Sequence, residues 1–391
     1  MIKSNYYKVL ILLIPCFYIC CSHKQSPLKL PLIQESNLSI NNINFKLDTV
    51  EKNKTISRNS ILTTDINGNI KIYSISKGQL VTMNKTEWKT IYNFLPFNNG
   101  TLNTNLIHST LINDSLIYFL YEEVLWKLNT TKYEFTMIEN LKFKIKSSKG
   151  TLYHNWQDCY NQTPSIVFNK SLNILYYPIY SYSKKDNKFF IGTYNLDNRK
   201  IGVLNLERPN VDEMIQRSVQ DNTMYIMDSN KIYFAFGFHK LGLVYNLANG
   251  KVDSVNLQSK YDTITQIAYT EKNTGIKSSS DRLMKTIIYN ARYGFFSYNP
   301  FKKHFYKIFN KNLEEDNKAT GLKNTLDEKE LVLQIYDNKL QLIKEIELPK
   351  SFHYISMLII NKNGLSLFEP TDVALIKYNP NKMQMLTISY E

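Results

Sequence analysis

One hairpin signature recurs seven times along this chain and confines the fold to repeated antiparallel strand pairs. In each copy two apolar residues flank one position, a short polar turn follows, and a Lys or Gln stands six residues after the first apolar residue. The copies are Tyr73-Ser-Ile75 with Gln79, Trp126-Lys-Leu128 with Lys132, Tyr194-Asn-Leu196 with Lys200, and Tyr245-Asn-Leu247 with Lys251. They continue with Phe296-Ser-Tyr298 and Lys302, Leu333-Gln-Ile335 and Lys339, and Ile376-Lys-Tyr378 and Lys382. Alternation turns one face of each strand inward, and the Asn, Asp, Gly and Pro residues between them supply tight turns.

Further strand pairs lie upstream of several copies, as in Ser109 to Tyr118 around Asn113-Asp114, and Thr223 to Tyr233 around Asp228 and Asn230. Four strands per repeat make a propeller blade. Successive copies lie 53, 68, 51, 51, 37 and 43 residues apart, which brackets the roughly 40 to 50 residues of such repeats. A single four-stranded sheet leaves both faces wet, so blades stack around an axis. The expected fold is therefore all-β: a β-propeller of four-stranded antiparallel sheets, with seven blades from the seven hairpins. Six is the alternative, because the 37-residue interval contains the polar stretch from Asn310 to Glu330. A strand within residues 41–50 is expected to pair with the carboxy-terminal blade and close the ring. A two-domain β sandwich is the competing architecture.

Composition agrees with strands. Aromatic residues make up 13% of the chain, with 28 Tyr and 20 Phe against 13 Gly and 11 Pro, and these residue types favour pleated, half-buried surfaces. Helix is expected to be minor. Hydrophobic residues at 43% exclude a chain that stays unfolded for want of a core.

The amino terminus divides into a targeting segment and a tether. Met1 to Lys8 is short and basic, and Val9 to Cys21 is an apolar run of 13 residues, the form of an export signal and too short to span a bilayer core of ~30 Å. The stretch Tyr18-Ile19-Cys20-Cys21-Ser22 resembles the lipobox of bacterial lipoproteins, with small Cys20 ahead of Cys21 and Tyr18 where the pattern has Leu. That resemblance implies lipidation at Cys21 and a signal peptide over 1–20; the plainer alternative is an ordinary cleaved signal with incidental cysteines. Residues 21–38 then form the lipid-anchored tether and 39–391 the propeller domain. With Cys21 lipidated, Cys159 is the one other mature cysteine, so the fold rests on burial without an intramolecular disulfide.

The hairpin style, the lipobox and the Asn-, Lys- and Ile-rich composition together resemble uncharacterised β-propeller lipoproteins of Bacteroidota. In such lipoproteins an acidic run after the cysteine marks surface export. Its absence here implies an outer-membrane anchor facing the periplasm, with surface exposure as the alternative. The resemblance carries no functional motif.

Candidate chemistry is sparse. Asp65-Ile-Asn67-Gly68-Asn69 has its Gly fourth rather than sixth and lacks the following Glu of a calcium loop, so it reads as a hairpin turn. The histidines at 23, 108, 154, 239, 304 and 353 show no metal-ligand spacing, and no metal is expected. No nucleophile elbow, phosphate-cradling loop or dinucleotide fingerprint occurs, so no cofactor is expected. Glu122 and Glu123 are more simply exposed turn carboxylates than an acid and base pair.

The strand rhythm breaks at Tyr153-His154-Asn155-Trp156-Gln157-Asp158-Cys159-Tyr160. Long connections on rigid scaffolds carry binding, and aromatic faces suit sugar rings or peptides. Tyr153, His154, Trp156 and Tyr160 are therefore candidate ligand contacts, against the plainer reading that Trp156 and Tyr160 pack as core. The formal charge is +14. Its plainest meaning is a solvated Lys-rich surface, with Lys142, Lys144 and Lys146 guarding one strand edge. No nucleic-acid partner is expected.

The leading expectation is a membrane-anchored, non-catalytic lipoprotein of the cell envelope that binds a protein partner or glycan. The alternative is a propeller hydrolase or lyase acting on a glycan or peptide.

Overall fold

A computed structural model describes residues 44–51, 61–64, 70–76, 79–84, 87–93, 108–113, 116–121, 124–129, 131–132, 134–141, 151–152, 166–180, 188–207, 223–228, 230–237, 239–257, 259, 261, 274–275, 277–316, 318, 320–325, 328–349, 352, 357–370 and 382–390. The first element, β1 (Asn44–Glu51), pairs at the far end of the chain. Sheet I follows as β2 (Ile61–Thr64), β3 (Ile70–Ser76), β4 (Gln79–Asn84) and β5 (Glu87–Asn93). Sheet II is β6 (His108–Asn113), β7 (Leu116–Tyr121), β8 (Val124–Asn129) and β9 (Glu134–Asn140). Sheet III holds β10 (Thr151–Leu152), β11 (Val167–Asn169), β12 (Ile174–Tyr180), β13 (Lys188–Asn195) and β14 (Ile201–Glu207). Sheet IV is β15 (Thr223–Asp228), β16 (Lys231–Phe236), β17 (His239–Asn246) and β18 (Val252–Asn256). After the helix α1 (Ser279–Tyr289), sheet V is β19 (Arg292–Asn299), β20 (His304–Asn310), β21 (Leu331–Tyr336) and β22 (Leu342–Glu347). Sheet VI is β23 (Met357–Asn361), β24 (Gly364–Pro370) and β25 (Lys382–Ser389), completed by β1.

Every pairing between these strands is antiparallel, and each sheet is an up-and-down meander. The first strands touch in a cycle: β2 meets β6, β6 meets β11, β11 meets β15, β15 meets β19, β19 meets β23, and β23 returns to β2. Burial follows that order. β16, β20 and β21 are buried on both faces, and their sequences are nearly continuous apolar runs, as strands covered on both sides must be. The fourth strands β18 and β22 are largely exposed and correspondingly polar.

The period-two alternation sends successive residues into different cores. Tyr306 and Ile308 join Leu333, Leu365 and Ile388 between sheets V and VI, while Phe305 and Phe309 join Tyr233, Ala235 and Val332 between sheets IV and V. Tyr177 packs with Tyr118 and Leu125 toward sheet II, and its neighbour Tyr176 with Ile232 and Phe234 toward sheet IV. Each such side chain contributes about 1.5 to 3 kcal/mol by leaving water.

The amino-terminal strand expected to close the ring is in place: β1 pairs with β25 over eight positions, from Asn44 opposite Ser389 to Glu51 opposite Lys382. The described strands make six sheets, one fewer than the hairpin signatures. The copies at Phe296 and Leu333 belong to the same sheet, the first turning β19 into β20 and the second β21 into β22. The polar residues 311–330 are the connection between those two hairpins. The signature marks a turn between paired strands, and it falls between first and second, second and third, or third and fourth strands of a sheet.

Its physical basis is an Asn or Asp at the strand end whose side-chain oxygen accepts amide hydrogens of the turn. Asn129 caps Thr131 N at 3.0 Å and Lys132 N at 2.9 Å. Asn195 caps Asp197 N and Asn198 N at 2.9 and 3.0 Å, and Asp337 caps Lys339 N and Gln341 N, both at 2.8 Å. Asn299 does more. Its oxygen caps Phe301 N at 3.0 Å and Lys302 N at 3.2 Å, and its fully buried Nδ2 donates toward Tyr306 Oη, Asn361 O and Gly364 O at 2.9 to 3.1 Å. One side chain thus closes a turn of sheet V and fastens it to sheet VI. Asn299→Ala is expected to cost about 3 kcal/mol or more in urea unfolding, and the exposed cap removed in Asn129→Ala about 1 kcal/mol.

Candidate functional site

Because every sheet is a meander, its turns sort to two ends. Strands one and two, and strands three and four, are joined at one end by five residues or fewer: 65–69, 85–86, 114–115, 130–133, 170–173, 196–200, 229–230, 247–251, 300–303, 337–341 and 362–363. The opposite end takes the second-to-third connections, including 181–187, 311–330 and 371–381. It also takes every passage between sheets: 52–60, 94–107, 141–150, 208–222, 257–291 and 348–356. Those passages leave one sheet and enter the next at that same end, which keeps the six sheets in a common orientation. Direct contacts agree: Tyr293 N donates to Gly237 O at 2.6 Å between the long-connection ends of sheets IV and V, and Asn299 joins the short-turn ends of sheets V and VI. Long connections gathered on one end of a rigid scaffold are where binding surfaces are built.

Over sheet V the long-connection end is a knit layer. α1 starts because Ser278 Oγ accepts the amide of Asp281 at 3.3 Å, with the Asp281 charge favourable to the helix amino terminus. Its last turn carries no basic residue of its own. Lys329, from the 311–330 connection, caps it instead, its amine donating to Ile288 O at 2.5 Å and Asn290 O at 2.6 Å. Burial and the neighbouring Arg292 guanidinium hold the Lys329 amine well below the ordinary lysine range. Tyr289 Oη donates to Asn324 O at 3.0 Å. Lys285 pairs with Glu315 at 2.5 Å, and Lys323 with Asp316 at 2.6 Å. The Lys285 hydrogen bond holds the Glu315 carboxyl below its usual range.

A polar seam crosses the core beneath this layer. Lys307, Gln334 and Glu345 stand side by side in register across β20, β21 and β22. Lys307 Nζ lies 3.2 Å from the centre of the Tyr293 ring. Gln334 Nε2 donates to Glu345 Oε1 at 3.1 Å, Ser259 Oγ donates to the same oxygen, and Tyr336 Oη lies 3.0 Å from both Leu257 O and Gln334 Oε1. The seam thus brings one carboxylate and one buried lysine amine into register across three strands. Among the described residues no three of His, Cys, Asp and Glu converge on a possible metal position.

At the short-turn end His304 Nδ1 lies 3.0 Å from Tyr390 Oη, which also bonds Tyr306 Oη, and Lys302 Nζ lies 4.8 Å from the Tyr390 ring centre. Burial first, and then the Lys302 charge, lower the His304 pKa, with Asp337 opposing.

Cys21, Tyr153, His154, Trp156 and Tyr160 all lie outside the described residues, as do Cys159, Glu122, Glu123, the Asp65 to Asn69 turn and Lys142, Lys144 and Lys146. The flanking strands nevertheless locate the break in rhythm. Leu152 of β10 pairs with Ile179 and Val167 of β11 with Tyr176, both on the same strand β12. The break in rhythm therefore falls in sequence between two strands that pair with β12, the second of which, β11, meets β6 of sheet II and β15 of sheet IV. Sequence reasoning missed α1, although Ser278 three residues before Asp281 is a capping signal. It also missed Lys329 and Arg292, which carry no linear signal.

No family model matches the chain, and no curated protein resembles it in sequence. Solved structures do resemble it in fold. A member of the DUF4221 family from Bacteroides vulgatus superposes with a TM-score of 0.61 at 12% identity, covering 89% of this chain and 99% of that one. A putative exported protein from Bacteroides fragilis reaches 0.48 at 10% identity, covering 89% and 95%. The calcium-binding protein regucalcin from Agrobacterium tumefaciens reaches 0.46 at 13% identity, covering 88% and 94%. Among the described residues no helix is long and apolar enough to cross a membrane.

The His304 cluster generates a pH prediction. A histidine whose folded pKa is depressed favours the neutral form, so the unfolded chain takes up the proton first as pH falls below the ordinary value of 6.5. Stability is expected to be fully present above that value and to decline below it. His304→Gln should flatten the decline in unfolding midpoints measured between pH about 7 and about 5.

Proposed function

We propose that this chain is a lipid-anchored six-bladed propeller of the cell envelope that binds a protein partner or glycan, without catalysis, through the end carrying its long connections. The carrying observation is the segregation of the chain. Asn44, where the amino-terminal segment enters the ring, lies opposite Ser389 at the short-turn end, while all the long passages lie at the other. An anchor on Cys21 therefore leaves the long-connection end turned toward solution and available to a ligand. The cyclic contacts among first strands support the six-bladed reading. The export signal, the lipobox-like Cys20-Cys21 and the Bacteroidota-type composition support a periplasm-facing outer-membrane location.

Within that reading, Tyr153, His154, Trp156 and Tyr160, which lie in sequence between β10 and β11, contribute aromatic contacts of the binding end. The test has two arms. Metabolic labelling with a fatty acid should mark the wild-type chain and not Cys21→Ala, which should leave the membrane fraction; a labelled, membrane-bound Cys21→Ala would overturn the anchor. Capture from detergent-solubilised envelopes should recover a protein or glycan with the wild type and lose at least tenfold of it with Trp156→Ala. Equal recovery would remove Trp156 from the site.

A further inference from the structure

The lysines of the hairpin signature have a place in space that their spacing in sequence does not reveal. Of the six signature lysines, Lys132, Lys200, Lys251, Lys302 and Lys339 fall in short turns and stand at one end of the ring, while Lys382 opens β25 at the other. The same turns add Lys170, Arg199, Lys303 and Lys362. Of these nine basic residues eight are exposed, and Lys302 is half-buried against Tyr390. The described short turns contain two acids, Asp197 and Asp337, both engaged locally: Asp197 accepts from Asn173 Nδ2 at 2.5 Å, and Asp337 caps its own turn. Counting the neighbouring strand residues Lys231, Asp228, Glu134 and Asp253 leaves ten bases against five acids.

Among the described residues the two ends differ in how their cations are paired. At the long-connection end Lys285, Lys311, Lys318 and Lys323 are each clasped by a glutamate or aspartate. Among the described short-turn residues the ion pair is Lys251 with Asp253 at 2.9 Å, both exposed. Two apolar side chains also project from these turns beside the lysines: Phe301, 55% exposed, next to Lys302 and Lys303, and Leu172, 43% exposed, two residues from Lys170. Basic residues interleaved with protruding apolar ones match a headgroup layer, where the charge meets phosphate and the apolar tip enters the acyl boundary. The chain leading back to Cys21 leaves from this end, at Asn44.

We propose that the short-turn end is a bilayer-docking surface that lies against anionic phospholipid headgroups. The position of the membrane rests on the anchored reading above, whereas the charge of this end does not depend on it. Each basic residue at an anionic surface strengthens partitioning about fivefold, so this end holds the domain down and directs the opposite end outward.

The experiment is amine-reactive footprinting of the full chain, purified from membranes and reconstituted into vesicles of pure phosphatidylcholine or of phosphatidylcholine with phosphatidylglycerol. On the anionic vesicles, labelling of Lys132, Lys170, Lys200, Lys303, Lys339 and Lys362 is expected to fall severalfold. Lys277 and Lys318 at the other end should be unchanged, and 1 M salt, whose screening length is about 3 Å, should restore the labelling. The exposed triple variant Lys170→Glu, Lys200→Glu, Lys339→Glu, checked for native unfolding, should lose the protection at the remaining lysines. Equal labelling on the two vesicle types would overturn the proposal. Protection by heparin with none by anionic vesicles would also overturn it, assigning the surface to a soluble acidic polymer. Fatty-acid labelling of Cys21 is read separately: its absence sinks the anchor reading, while the footprint, repeated with vesicles added from outside, still judges the surface.

Discussion

The ladder between the first strand and the last holds the other sheets in place. Without β1, β25 would present an unpaired edge, and the sheet between V and I would have three strands. Each sheet buries its faces only against its neighbours, through separate cores such as Tyr306 with Leu367 on one side of sheet V and Phe305 with Tyr233 on the other. An opening at any one place therefore exposes two faces at once. Joining the chain's ends is affordable because loop-closure entropy grows only with the logarithm of length. The ladder is reinforced where Leu386 and Ile388 enter the core and where Gly364 lies so close to Ile388 O that a Cβ would stand 2.1 Å from it.

The closure also sets the polarity of the molecule. Since β1 runs antiparallel to β25, the amino-terminal segment must enter at the end where the turns are short. The long passages, α1 and the 311–330 connection are consequently at the far end. The formal charge of +14 acquires a geometry in the same way. Among the described residues, Lys285, Lys311, Lys318 and Lys323 form a clasped set near α1 and the 311–330 connection, and the lysines of the short turns form a loosely paired one. A third set is buried: Lys329 closes the carboxy end of α1, and Lys307 lies over Tyr293. These two serve packing, and the turn lysines face outward.

Much of this was legible in the chain. Alternation in stretches such as Thr223 to Tyr233 located strands that pair as expected, with Asp228 opposite Lys231, and the closing strand was legible as NFKLDTV. The sheet count was legible only as the alternative that the 37-residue interval offered, because an Asn or Asp cap and a following Lys work equally well between strands one and two, as at Asn299 and Lys302, or between strands three and four, as at Asp337 and Lys339. Counting turns therefore overcounts sheets. The candidate surface was the least legible part. Lys170 and Arg199 share an end because β11 to β14 pair within sheet III, where Asn173 meets Asp197, whereas Lys362 of sheet VI reaches the same end through pairings that no local pattern of apolar and polar residues encodes.

Hydrogen exchange read by mass spectrometry on residues 382–389 tests the closure most directly, comparing the full chain with one lacking residues 1–51 and one lacking residues 1–40. The account predicts slow exchange in the full chain and in the shorter truncation. In the longer truncation β25 should exchange as an open edge, with a fall in the unfolding midpoint of the whole molecule. Undiminished protection of β25 after removal of β1 would contradict the closed ring.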